Sequence, residues 1–184
     1  LGVKAKGSAK TLQAILDVNR IETYPVEPSF IEDLDNTWRQ PAKVEFFVDF
    51  ETVSDLNDDF ANTPESGGTP LIFMIGCGHL EEEKWVWRCF TTERLTEEHE
   101  GLIIDKWMDY MYQVQNRLDP GGYSPTVYHW SHAEVATFDS AFNSAKNRHT
   151  DKEWPSLNWY DFLKEVIKKE PVVVNGAFGF GLKA

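Results

Sequence analysis

The segment 44–51 constrains the fold more than any other, because apolar and polar side chains alternate along it. Successive side chains of an extended strand point to opposite faces. One face of this strand therefore carries four apolar residues, Val44, Phe46, Val48 and Phe50. Residues 71–77 form a continuous apolar run typical of a strand covered on both faces, and residues 84–90 form a third β-rich segment after a polar turn. The pattern predicts an antiparallel meander of three strands.

Helical spacing follows the meander. Beyond Glu97, six apolar residues recur at helical intervals: Ile103, Ile104, Trp107, Met108, Met111 and Val114. This spacing predicts a long amphipathic helix that packs on the sheet. The pattern then predicts a strand over residues 126–129, a helix over 133–147, a strand over 157–160 and a helix over 162–169. The order predicts an α/β fold with a mixed sheet, in which a crossover helix makes the later strands parallel to the first.

The first 43 residues differ from the rest in charge and in proline content. Their basic and acidic residues balance, so the net charge of −12 lies in the remainder of the chain. Ser8 can cap a short helix. Three prolines then break regular structure, Pro25, Pro28 and Pro41. We predict that residues 1–43 are an arm or linker from a preceding domain and that residues 44–184 form the α/β domain. Because the chain begins at Leu1 and ends in a glycine-rich stretch, we expect that domain to be incomplete.

Composition excludes several classes of protein. No stretch approaches the roughly 18 consecutive apolar residues of a membrane helix, and no signal-peptide pattern opens the chain. We therefore expect a soluble, cytoplasmic protein. Cys77 and Cys89 are too few for a disulfide scaffold and are expected to be reduced. On charge alone, the net −12 argues against non-specific binding to nucleic acid, which normally needs a basic surface.

The first candidate site is the pair Asp49 and Glu51. Positions i and i+2 of a strand project to the same face, here the one opposite the phenylalanines Phe46 and Phe50. Magnesium is usually held by one or two carboxylates together with substrate phosphate. The alternative is a polar strand face that is simply hydrated, since Glu45 lies on it as well.

A second candidate lies where a predicted strand runs into a helix, with His129, His132 and Glu134. Alternatively, Glu134 can simply complement the helix dipole. Both histidines can likewise make ordinary polar contacts without a role in a site. A zinc site is disfavoured, because no third ligand has the right spacing.

A third candidate is Asp161, whose alternative role is to cap the following helix. Lys183, in the glycine-rich tail, can offer its charge to phosphate, or the tail can be a flexible turn.

The order of these residues resembles the DEDD 3′-5′ exonucleases, which have a ribonuclease H-like fold. The chain most resembles predicted RecB-family and YprB-like nucleases with a ribonuclease H-like domain. The resemblance covers about residues 44–184, and its motifs match residues 47–52, 127–134 and 158–163. One departure is Glu134, where the wider superfamily usually has Asp. The family's last motif, which supplies a final metal-binding Asp and a general base, would lie beyond Ala184.

The resemblance implies a two-metal phosphodiesterase site that holds Mg²⁺ or Mn²⁺. Asp49 would bridge both ions, Glu51 would bind the ion that activates water, and Glu134 and Asp161 would be outer ligands. Four further residues would contact substrate, namely Thr52, His129, His132 and Lys183. Without the last motif, we expect the chain as it stands to be nearly inactive.

The expected function is therefore that of a metal-dependent nuclease, a 3′-5′ exonuclease acting on single-stranded DNA or RNA. Bound divalent ions would offset only part of the negative charge, so the chain would still not attract a long duplex. We therefore expect the substrate to be a strand end that the metal ions draw in. One alternative is an inactive ribonuclease H-like docking module of a larger nuclease or helicase, and another is an endonuclease with the same ligands. Trp85, Trp87 and Trp130 can belong to the core or stack on bases, and large aromatic residues are more often buried.

Overall fold

A computed structural model describes residues 8–20, 26–31, 36–53, 71–130, 138–169 and 172–177. The chain divides into two units. One unit comprises the described parts of segments 1–40 and 161–184, and the other comprises Pro41–Tyr160. The predicted boundary after residue 43 stays a prediction.

The larger unit is built on a five-stranded mixed sheet. Its strands are β2 (Glu45–Val53), β3 (Leu71–Glu81), β4 (Lys84–Thr91), β5 (Thr126–His129) and β6 (Asn158–Asp161), the last ending at the unit boundary. Their order across the sheet is β4-β3-β2-β5-β6. Strand β3 is antiparallel to both β2 and β4, while β5 is parallel to β2. The predicted meander, the parallel placement of β5 and the α/β class are confirmed.

The β3–β4 hairpin is longer than predicted, because β3 continues to Glu81 instead of ending at residue 77. The two strands are joined by Glu82 and Glu83, both of which have a left-handed backbone, with φ of 49° and 62°. Two left-handed residues match the twist of a tight two-residue hairpin turn.

Two helices cover one face of this sheet, α2 (Glu97–Leu118) and α3 (Phe138–Arg148). Helix α2 begins after Thr96, whose side-chain oxygen accepts a hydrogen bond from the amide of His99 at 3.3 Å. The core between helices and sheet includes Phe46 and Trp107, both at most 1% exposed. The predicted helix over residues 133–147 is confirmed from Phe138 onward, and its first part lies outside the described residues.

The smaller unit contains α1 (Ser8–Arg20), a 3₁₀ turn (Asn36–Arg39), a π-helical turn (Leu163–Ile167) and two short strands. Strand β1 (Val26–Glu27) pairs antiparallel with β7 (Val173–Val174). Asn19 joins α1 to the same region, since its side-chain oxygen accepts a hydrogen bond from the amide of Gly176 at 2.8 Å.

The predictions for this unit were correct in part. The predicted short helix is confirmed as α1, which begins at Ser8, and the capping role of Ser8 stays a prediction. The expectation that prolines exclude regular structure was wrong between Pro25 and Pro28, where β1 forms by pairing with a distant segment. The predicted helix over 162–169 is a π-helical turn, in which the amide of Lys168 donates to the carbonyl of Leu163 at 2.9 Å.

Candidate functional site

Strand β2 has one buried face and one face that carries acidic side chains. Phe46 and Val48 point into the core, with 1% and 5% of their surface exposed. Asp49 is exposed and Glu51 is half-buried. Both carboxylates lie in a regular part of the strand, because the register of β2 against β3 shifts only after Glu51. They therefore share the face opposite the core, as the alternation of the sequence predicts.

The neighbours of Asp49 on this face are aromatic. Asp49 pairs with Gly76 and Phe47 pairs with Gly78, so both glycines lie on the face of the carboxylates. A Cβ atom at Gly76 would clash with the ring of Trp87, and one at Gly78 would clash with the ring of Trp85. The two indole rings therefore occupy the space that the missing side chains leave, over the glycines that pair with Asp49 and Phe47.

Four rings contact one another in a row across the sheet, and with the neighbouring indole of Trp87 we call these five rings the aromatic row: Trp87, Trp85, Phe47, Tyr128 and Tyr160. The centroid of the Phe47 ring lies 5.3 Å from that of Trp85 and 5.2 Å from that of Tyr128, on which it stacks at 18°. Tyr128 contacts Tyr160 edge to face, with 5.3 Å between centroids. Trp85 and Trp87 are each 53% exposed.

The expectation that Trp85 and Trp87 are core residues was therefore wrong. The glycines of β3 let each ring lie against the backbone with one side, which leaves much of the ring in solvent. The signal was present in the sequence as two alternating patterns on consecutive strands, Gly-x-Gly followed by Trp-x-Trp. Trp130 is half-buried.

Glu45, the third carboxylate on this face, contacts a tyrosine. The hydroxyl of Tyr128 donates to Oε1 of Glu45 at 3.2 Å. Burial raises the pKa of Glu45, and this hydrogen bond only partly offsets the effect. Burial and the nearby Glu45 carboxylate raise the pKa of Tyr128. Glu45 is thus half-buried beneath the aromatic row, whereas Asp49 is exposed.

The other predicted site residues lie in different places. Thr52 is exposed and follows the register shift in β2. His129 is 4% exposed and pairs with Val48 on the core face, where its ring meets that of Trp159 edge to face at 5.8 Å. The structure therefore does not bring His129 to the face of Asp49.

Asp161 belongs to the smaller unit. Its Oδ1 accepts a hydrogen bond from the amide of Lys164 at 2.9 Å, which is the capping role that the sequence allowed. The remaining predicted residues, Glu134, His132 and Lys183, lie outside the described residues.

The donor chemistry of Asp49 and Glu51 fits a hard divalent cation, because carboxylate oxygens are the ligands that Mg²⁺ and Mn²⁺ prefer. Within the described part of the chain, no group of three or more His, Cys, Asp or Glu side chains is placed to hold a metal. Two protein carboxylates are nevertheless sufficient for Mg²⁺ when phosphate and water supply the other ligands. The pair can thus form part of a metal site that substrate completes.

Comparison with protein-family models and with curated proteins finds no match for this chain. None of the described helices has both the length and the apolar character needed to cross a membrane.

Proposed function

We propose that this chain is a metal-dependent nuclease domain with a ribonuclease H-like fold that hydrolyses phosphodiester bonds, as a 3′-5′ exonuclease on single-stranded nucleic acid. The observation behind this proposal is the position of Asp49 and Glu51. Both lie on the non-core face of β2, the middle strand of a five-stranded mixed sheet. The antiparallel meander followed by a parallel strand is compatible with that fold.

Each residue then has a distinct task. Two Mg²⁺ or Mn²⁺ ions would supply a water-derived nucleophile and would offset the charge of the phosphate. Asp49, the more exposed carboxylate, would hold both ions, and Glu51 would hold the one on the water side. The outer-ligand roles that the resemblance implies for Glu134 and Asp161 stay predictions.

The aromatic row supports a single-stranded substrate. Each base has a π-face that can stack on an aromatic ring, and such stacking requires no particular sequence. Trp87 lies over Gly76, the cross-strand partner of Asp49, so a base on this indole would place its phosphate close to the carboxylates. We therefore assign Trp85 and Trp87 to contact with unpaired bases.

Metal binding is the first test, because it can be measured on this chain even if hydrolysis requires further segments. Calorimetric titration with Mn²⁺ should show binding that is lost in Asp49→Asn and weakened in Glu51→Gln. Glu45→Gln is the matched control, since this carboxylate lies on the same strand face, four residues before Asp49, and accepts a hydrogen bond from Tyr128. We expect it to bind Mn²⁺ like the parent chain.

Hydrolysis is the second test. Because the chain as it stands is expected to be nearly inactive, single-stranded DNA and RNA labelled at the 5′ end would be incubated with Mg²⁺ and a longer form of the protein, and a ladder that shortens from the 3′ end is expected for the proposed activity. Internal cuts would indicate an endonuclease instead. Absence of Mn²⁺ binding by the parent chain would refute the metal site and would favour the inactive docking module.

A further inference from the structure

The pairing of β2 with β3 is irregular immediately beside Glu51. Glu51 pairs with Met74, but Thr52 pairs with Ile72, so the register passes over Phe73. An extra residue of this kind is a β-bulge, which bends the strand and changes the direction of neighbouring side chains. The orientation of Glu51 therefore depends on how this bulge is held.

A buried carboxylate holds the bulge from the helical side of the sheet. Oε1 of Glu100, in the first turn of α2, accepts a hydrogen bond from the amide of Ile72 at 2.7 Å. The Glu100 side chain is fully buried. Ile72 is the first paired residue beyond the register shift, so Glu100 fixes the backbone of β3 at that point.

Glu100 is itself held by α3. Arg148 donates to both of its carboxylate oxygens, from Nη2 at 2.7 Å and from Nε at 3.1 Å. Nε2 of His149 lies 3.0 Å from Oε2. Charge-assisted and bidentate hydrogen bonds of this type fix geometry as well as adding energy. The carboxylate therefore has a fixed position when it meets the Ile72 amide.

A buried ion pair is weak evidence for stability, because removing two charges from water offsets most of their attraction. Fixing one backbone register is a role that a hydrophobic replacement would not provide. We propose that Glu100 is a positioning residue, which acts through the bulge at Ile72 and Phe73 to orient Glu51 toward the metal. This inference rests on the proposed function, since it takes Glu51 to be a metal ligand.

The experiment compares Glu100→Ala and Glu100→Gln with Asp105→Ala. Asp105 is a matched control on the same helix, because its carboxylate also joins α2 to the segment after α3, through Lys152 at 2.6 Å and Trp154 at 2.8 Å. The bonds of Asp105 do not involve β3. Two quantities are measured for each variant: hydrogen–deuterium exchange over residues 50–53 and 71–74, and affinity for Mn²⁺.

We expect Glu100→Ala to accelerate exchange in these two segments and to weaken Mn²⁺ binding about tenfold or more, the usual effect of losing a group that orients a ligand. Glu100→Gln keeps a side-chain oxygen for the Ile72 amide but loses the charge and the second acceptor oxygen that Arg148 holds, so its exchange rate and its Mn²⁺ affinity should lie between those of Glu100→Ala and Asp105→Ala. It also serves as the test variant if Glu100→Ala does not fold. Asp105→Ala should change neither quantity.

If both Glu100 variants show the same exchange rates and the same Mn²⁺ affinity as Asp105→Ala, the positioning role is overturned, while the proposed function is unaffected. A parent chain that binds no Mn²⁺ would overturn the proposed function, and this inference with it. The two failures are therefore distinguishable.

Discussion

Replacing Glu82 with Asn and Glu83 with Gly should stabilise the β3–β4 hairpin. Both residues have left-handed backbones, with φ of 49° and 62°. A residue with a β-carbon costs roughly 1–2 kcal/mol in this conformation, whereas Asn tolerates it better and Gly adopts it freely. Both glutamates are exposed, so the substitutions remove little packing.

The magnitude follows from two opposing terms. Glycine at position 83 removes the backbone penalty but adds about 0.4–1 kcal/mol of conformational entropy to the unfolded chain. Asparagine at position 82 carries no such entropy cost. We therefore expect a net gain of about 1–2 kcal/mol in the free energy of unfolding, or a rise in Tm of roughly 2–8 °C for a chain of this size.

Thermal unfolding followed by circular dichroism measures this change. The matched control is Glu82→Gln with Glu83→Gln, which removes the same two charges from a chain of net charge −12 but leaves the backbone preference unchanged. A gain of equal size in this control would show that relief of charge repulsion is the cause. No gain in the Asn-Gly variant would refute the reasoning.

Two further predictions concern the aromatic row and a buried histidine. Trp85→Ala and Trp87→Ala should each weaken the binding of a labelled oligothymidylate in Mn²⁺, measured by fluorescence anisotropy, by roughly 1–3 kcal/mol per stacked base. The control is Tyr112→Ala, which removes a 67% exposed ring on α2 and should leave this binding unchanged. Equal losses of affinity in all three variants would contradict the assignment. Burial lowers the pKa of His79, although the nearby Glu81 acts in the opposite direction. Near the ordinary histidine pKa of 6.5 the unfolded chain therefore binds more protons than the folded chain, and the free energy of unfolding should fall as the pH drops below that value. Urea unfolding at about pH 7.5 and about pH 5.5 should show this loss, and His79→Gln should reduce it; an identical loss in that variant would point to other groups.

The central part of the fold was predictable because each element has a clear period. The alternation in β2 and the helical spacing in α2 are local patterns, and each is reinforced by burial of its apolar side. The parallel placement of β5 follows from a general rule about crossover connections. These elements therefore required no knowledge of distant contacts.

Other features depend on contacts between distant parts of the chain, which no local sequence pattern indicates. Strand β1 has two residues and forms against β7, which lies near the other end of the chain. The bulge at Phe73 exists only relative to the register of β2. Burial of Glu100 was equally unpredictable, because its partners Arg148 and Ile72 come from two other elements. Tertiary contacts determine all three features.

The same distinction applies to the candidate site. The strand period was sufficient to place Asp49 and Glu51 on one face, but the exposure of the tryptophans depended on their rings lying over Gly76 and Gly78 of the neighbouring strand. The alternative role of Asp161 as a helix cap is observed, and its role as a metal ligand stays a prediction.

The aromatic row also bears on how an acidic chain would hold nucleic acid. Asp49 and Glu51 repel phosphate unless a cation lies between, and the net charge of −12 offers little general attraction to a long strand. Stacking on Trp85 and Trp87 does not depend on charge, so it can supply affinity that the electrostatics of this chain do not. A duplex keeps its bases paired and stacked on one another and has no free face for these rings. Under the proposed function, the combination of carboxylates and exposed indoles on one sheet face therefore selects an unpaired strand.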